Sequence, residues 1–173
     1  MKIAIVYDWI DKIGGVERLL LTLHEIFPDA EFYTSYYERI SAPWAKDLKI
    51  NTSFIQKLPS FIKKNRILSI PFYPYAFEAF DFSNFDIVIS VTSSFAKAVI
   101  TKPHTKHICI LLTPTRYFWQ DENSYIKSFF KILAAPIIND LRSWDSIISK
   151  RPDKYISISN EVKKRTKKYY QAD

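Results

Sequence analysis

Residues 2–27 read KIAIVYDWIDKIGGVERLLLTLHEIF, and this stretch decides the fold. Lys2–Tyr7 is a continuous apolar run rather than an alternating one, which predicts a strand buried on both faces. From Val16 to Phe27 the apolar residues Val16, Leu19, Leu20, Leu21, Leu23, Ile26 and Phe27 recur mostly at spacings of three and four. That period predicts a helix with one face on a sheet, stopped by Pro28-Asp29. Between strand and helix stand Gly14 and Gly15, the only two glycines of a 173-residue chain. Average usage would place roughly twelve. A helix start stripped of side chains offers backbone N–H groups and a positive helix end to an anion, typically a phosphate. A tight turn that needs positive φ at Gly14 explains the pair equally well.

Outward from this unit the same signals repeat. Glu31–Tyr36, Leu48–Phe54, Asp86–Val91, Ala98–Thr101, His107–Leu112 and Tyr155–Ser159 read as further strands. Pro59, Pro71 and Pro74 predict short helices or loops between Pro59 and Phe80. Tyr125–Ile148 reads as helical with a break near Pro136, and Asn160 is placed to cap a last helix, Glu161–Tyr170. Buried strands alternating with helices predict an α/β fold, a Rossmann-like parallel sheet with helices on both faces, built as one domain over 1–173. Ligands of such sheets bind beyond the carboxyl ends of the strands. The segments of interest are therefore Asp8–Gly15, Thr92–Ala96, Thr113–Trp119 and Asn160.

Composition narrows the function. Hydrophobic content of 47% and charged content of 25% describe a globular chain, and no apolar run reaches the ~18 residues of a membrane span. The N-terminus lacks the apolar core of a secretory signal, and the single cysteine, Cys109, lies in an apolar run where a buried thiol is expected; both favour the cytoplasm. The three histidines, His24, His104 and His107, lack partners at metal-ligand spacing. The dinucleotide fingerprint, the phosphate loop and the nucleophile elbow are absent.

Net charge is +7, with cations clustered at Lys57, Lys63, Lys64 and Arg66 and again at Lys163, Lys164, Arg165, Lys167 and Lys168. Solvated helix faces explain most such runs. The first cluster is also interleaved with Phe54, Phe61, Phe72, Tyr73, Tyr75, Phe77 and Phe80, a mixture suited to an anionic bilayer, with Lys63, Lys64 and Arg66 facing the membrane. A nucleic-acid partner finds no motif, and the basic runs sit on separated segments.

Several pieces together resemble the N-terminal half of the group-1, family-four glycosyltransferases. These are Ile3-Ala4-Ile5-Val6-Tyr7-Asp8-Trp9 with Gly14-Gly15-Val16-Glu17-Arg18, and Phe85-Asp86-Ile87-Val88-Ile89-Ser90 with Ser93-Ser94-Phe95-Ala96-Lys97. Thr113-Pro114-Thr115-Arg116-Tyr117-Phe118-Trp119 is the strongest echo, and Tyr155-Ile156-Ser157-Ile158-Ser159-Asn160 completes the ordered set. The resemblance implies a GT-B enzyme that transfers a sugar with retention, without metal or other cofactor, from a nucleotide sugar to a lipid-linked or polysaccharide acceptor. It implies that this domain takes the acceptor and that a C-terminal domain beyond residue 173 holds the donor, so the 173 residues alone are expected to be inactive. It also implies that the glycine loop approaches the donor phosphate and sugar, where N–H groups stabilise charge on the leaving diphosphate.

Carried onto this chain, the substrate-binding candidates are Asp8, Gly14, Gly15, Ser93, Thr113 and Arg116. Each has a plainer reading beside it. Asp8 orients an acceptor hydroxyl or caps its loop. Ser93 and Ser94 meet a sugar or cap a helix. Arg116 binds an anionic group or pairs with Asp121 or Glu122. Trp119 stacks on a sugar ring or belongs to the core. The family's histidine before Thr-Pro-x-Arg is replaced by Leu112, which can neither hydrogen-bond nor carry a proton. That departure supports an alternative: a non-catalytic subunit that presents acceptor and membrane to a separate donor-binding chain.

Overall fold

A computed structural model describes residues 1–119 and 139–172. In chain order the elements are β1 (Ile3–Tyr7), α1 (Gly15–Ile26), β2 (Glu31–Thr34), β3 (Ile50–Thr52), α2 (Ser60–Lys63), α3 (Arg66–Ser69) and α4 (Tyr73–Glu78). Then follow β4 (Ile87–Thr92), β5 (Lys106–Leu111), α5 (Arg116–Trp119), the helix 139–148 (α6), β6 (Lys154–Ser157) and α7 (Asn160–Tyr170). The strands form one all-parallel sheet in the order β3-β2-β1-β4-β5-β6, the doubly wound Rossmann-like arrangement.

Alternation along the strands divides the core into two layers. Ile3, Ile5 and Tyr7 of β1 and Ile89 and Val91 of β4 point to one face, where Leu20 and Leu23 of α1 cover them. Ala4, Val6 and Val88 point to the other, against Tyr73, Ala76 and Phe77 of α4 and against Phe95 and Phe118. The second layer is aromatic, with Tyr73 and Phe95 stacked at 4.5 Å. The sheet is therefore covered by helices on both faces, as the continuous apolar runs predict. At one end β6 is an edge strand, and Ile156 and Ile158 stand 45% and 56% exposed beside it.

Two local expectations differ. Ala98–Thr101 forms no strand; Ala96–Ala98 is a single 3-10 turn. The apolar run here buries a loop whose carbonyls at Ser94 and Ala98 are held by Lys97 and Arg151 side chains instead of a neighbouring strand. The cap of α7 is Ser159, whose extended backbone lets its hydroxyl accept from Val162 N at 3.2 Å, with Asn160 already inside the helix. Of the helix expected over Tyr125–Ile148, residues 139–148 are helical and the part up to residue 138 lies outside the described residues.

His107 of β5 is fully buried, with Nε2 2.8 Å from Ser90 Oγ. Burial pushes its imidazole down from the ordinary 6.5 to about 4; Arg151 adds to this and Asp153 opposes it. The folded protein thus holds a neutral ring where the unfolded chain holds a cation. This contribution is complete above pH 6.5 and is lost as the pH falls through 6.5 toward 4. Stability should drop by about 3 kcal/mol across that window from this group. Chemical denaturation of the wild type and His107→Asn at several pH values checks it: the variant's curve should be flatter, and parallel curves would refute the assignment.

Candidate functional site

The carboxyl ends of β1 and β4 lie side by side at the centre of the sheet. From β1 the chain turns to α1 on one face; from β4 it turns to the opposite face. Parallel sheets bind their ligands at this divergence. Gly14 and Gly15 stand on it. Gly14 is the N-cap of α1, with φ −167° and ψ −155°, and no side chain caps the helix there. Neither glycine has a positive φ, which overturns the tight-turn explanation. A Cβ at Gly14 would come within 2.9 Å of Glu17 Oε2. Glu17 is buried in the first helical turn, accepts a hydrogen bond from Tyr7 OH at 3.2 Å, and places negative charge near the helix end. Burial and the nearby Asp8 and Glu17 carboxylates push the Tyr7 phenol far above its usual range, so it stays a donor. A Cβ at Gly15 would meet nothing within 4 Å. Among the described residues, neither backbone conformation nor packing requires a glycine at position 15.

Asp8 is fully buried, and its carboxylate is occupied. Oδ1 accepts from Thr92 Oγ1, Phe95 N and Ala96 N, each at 2.8 Å. Oδ2 accepts from Ser93 N at 2.9 Å, with Ser93 Oγ at 3.5 Å. Of the two sequence readings, the loop cap is the one this geometry describes. Bare N–H groups following a strand form an anion-binding concavity; here the protein's own carboxylate fills it. Ser93 is held in the same arrangement, and Ser94 N donates to Thr92 Oγ1.

At the end of β5, Leu112 packs against the apolar layer on the α1 face. Thr113 is buried, and its Oγ1 has no hydrogen-bond partner among the described residues. Arg116 opens α5; its side chain, like Asp121 and Glu122, lies outside the described residues. Behind these loops sits a polar cluster. Lys97 and Asp145 are both fully buried and pair at 2.7 Å. Lys97 Nζ also donates to Ser94 O at 2.5 Å and Thr115 Oγ1 at 3.0 Å. Asp145 Oδ2 accepts from Trp119 Nε1 at 2.7 Å and Tyr170 OH at 2.9 Å, and Thr115 N donates to Tyr170 OH at 3.1 Å. The Trp119 indole is thus a strut between α5 and α6 that also lies against Tyr169, 5.1 Å between ring centres.

One cluster escaped the sequence reading. Asp11 accepts from Arg66 at 2.6 Å and Tyr36 OH at 2.9 Å, while Arg66 lies over the Trp9 ring at 3.8 Å. The other Asp11 oxygen is buried with no hydrogen-bond partner among the described residues. Arg66 is therefore turned toward the β1–α1 loop, which corrects its expected membrane-facing position. Lys64 pairs with Glu38 at 2.7 Å and remains 56% exposed; Lys63 Nζ donates to Gln56 O at 3.3 Å. No signal in the sequence joins Asp11 to Arg66, 55 residues apart. Compared with known proteins, the chain matches no family model and no curated relative.

Proposed function

We propose that this chain is the N-terminal, acceptor-side domain of a retaining glycosyltransferase that moves a sugar from a nucleotide sugar to a lipid-linked or polysaccharide acceptor. The observation that carries the reading is Gly15. It is the first residue of α1, beside the strand divergence, and a side chain there would project into open space. A glycine with no internal reason to be one is accounted for by an outside group that approaches the backbone. The Gly15 end of α1 suits the charge that develops on a departing diphosphate. On the Gly14 side the Glu17 carboxylate favours a neutral sugar ring over a phosphate. Thr113, whose hydroxyl has no partner among the described residues, supplies a further polar contact in this reading. In this reading a second domain holds the donor.

The test compares Gly15→Ala and Gly15→Val with wild type, assayed with nucleotide sugars in the presence of the donor-binding domain or chain. Turnover should fall by about a hundredfold, because the added side chain holds the diphosphate away from the backbone N–H and so costs about as much as one lost oxyanion donor. Thermal stability should hold or rise slightly, since alanine is a better helix former by up to about 1 kcal/mol. Undiminished turnover in both variants would refute the site.

A second reading, a non-catalytic subunit that pairs with a separate donor-binding chain, is favoured by the apolar, packed Leu112. It predicts transfer only when the partner chain is added. In either reading the protein works peripherally at the cytoplasmic membrane face. Among the described residues no helix is long and apolar enough to cross a membrane.

A further inference from the structure

Thirteen large apolar side chains stand exposed among the described residues, and five of them, Phe54, Phe61, Ile67, Leu68 and Tyr75, fall within 22 residues of sequence. Phe61 and Tyr75 are 70% and 69% exposed. The folding of this segment explains why they point out. α4 anchors it by burying Tyr73, Ala76 and Phe77, and Ser69 Oγ ties α3 to α2 by donating to Ile62 O at 2.7 Å. What the short helices do not bury they present. No acid occurs from residue 48 to residue 77, a span of thirty residues that includes Lys57, Lys63 and Lys64. Lys64 is paired with Glu38, while Lys57 and Lys63 lie in no ion pair among the described residues; exposed apolar groups beside these lysines match one environment on both counts, the headgroup boundary of an anionic bilayer. A nucleic acid would leave Phe61, Ile67 and Leu68 in water.

We infer that the α2–α4 face docks on an anionic lipid bilayer through Phe61, Ile67, Leu68 and Tyr75, and that Arg66 ties this face to the β1–α1 loop. Ile67 and Leu68 point outward from α3, while the preceding Arg66 reaches in to Asp11 and the Trp9 ring. Docking therefore sets the height of Asp11–Gly15 above the lipid. This rests on the proposed function in that the loop would meet a glycan borne on the same bilayer; the docking itself does not depend on it.

The experiment is co-sedimentation of the chain with vesicles of phosphatidylcholine alone and of an equimolar mixture with phosphatidylglycerol. Binding should be confined to the mixed vesicles and should weaken with salt. Phe61→Ser with Leu68→Ser should reduce it at least tenfold, and Lys63→Glu by about fivefold or more, the share of one surface lysine. Arg66→Lys, turned inward, should leave it unchanged. All four positions are partly or fully exposed or conservatively changed, and circular dichroism checks that the fold persists. Equal recovery on both vesicles, binding indifferent to the Phe61 and Leu68 changes, or salt-sensitive binding to nucleic acid without vesicle binding would each overturn the inference. Vesicle binding that survives while Gly15→Ala leaves turnover intact would refute the transferase reading alone.

Discussion

Asp8→Ala should lower the unfolding free energy by about 4 kcal/mol or more, because it strips the acceptor from several buried donors at once. Thr92 Oγ1, Ser93 N, Phe95 N and Ala96 N all end on this carboxylate within 2.9 Å. Each donor left unsatisfied costs roughly 1–3 kcal/mol, and entering water relieves part of the sum. In a domain of this size the melting temperature should fall by about 10 °C. Asp8→Asn should lie between alanine and wild type, since its amide N–H groups face the Ser93 N–H across the lost oxygen. Denaturant titration of the three proteins decides the matter. A loss under ~1 kcal/mol, with turnover abolished, would return Asp8 to the role of a substrate-binding group.

The second large effect belongs to the Lys97–Asp145 pair. Neither side chain has any exposed surface, and breaking one partner of a buried pair typically costs about 3–5 kcal/mol. The two partners are not equivalent. Lys97→Met leaves the Asp145 carboxylate with Trp119 and Tyr170 still donating to it. Asp145→Ala leaves a buried ammonium and deprives both ring donors of their acceptor, so it should be the more damaging change. The double variant Lys97→Met with Asp145→Leu should recover much of the loss, as apolar replacement of buried pairs often does. A double-mutant cycle measures this; additive losses would show that the two charges do not stabilise each other. Because the cluster joins the loops after β4 and β5 to α6 and α7, Asp145→Ala should also loosen Thr113 and Thr115, visible as faster amide exchange at Thr115 N.

The sheet was legible because its central strands β1, β4 and β5 are largely apolar runs and a helical period follows the first of them, and that signal is local. Where a local signal has two structural outcomes, tertiary context chose. The apolar stretch at Ala98–Thr101 became a buried turn because Lys97 and Arg151 satisfy its carbonyls. Arg66 sits in a run of cations that reads as an outward face, yet a carboxylate 55 residues earlier turns it inward. Asp8 carried two readings because its donors lie 84 to 88 residues away, beyond the reach of any spacing rule. The glycine pair was visible at once, but its meaning required the backbone angles and the empty volume beside Gly15. Asp11, between two more conspicuous motifs, gave no sign of itself.

The exposed edge of the sheet has a practical consequence. Among the described residues no strand pairs with the outer side of β6, and Ile156 within it and Ile158 just after it are exposed. Such an edge is a template for pairing with another polypeptide, including a misregistered neighbour at high concentration. Two features restrain it: the strand is four residues long, and Lys154 places a charge at its start. Aggregation of concentrated samples should therefore respond to substitution of Ile156 on this edge, three strands away from β1 and the glycine loop that follows it.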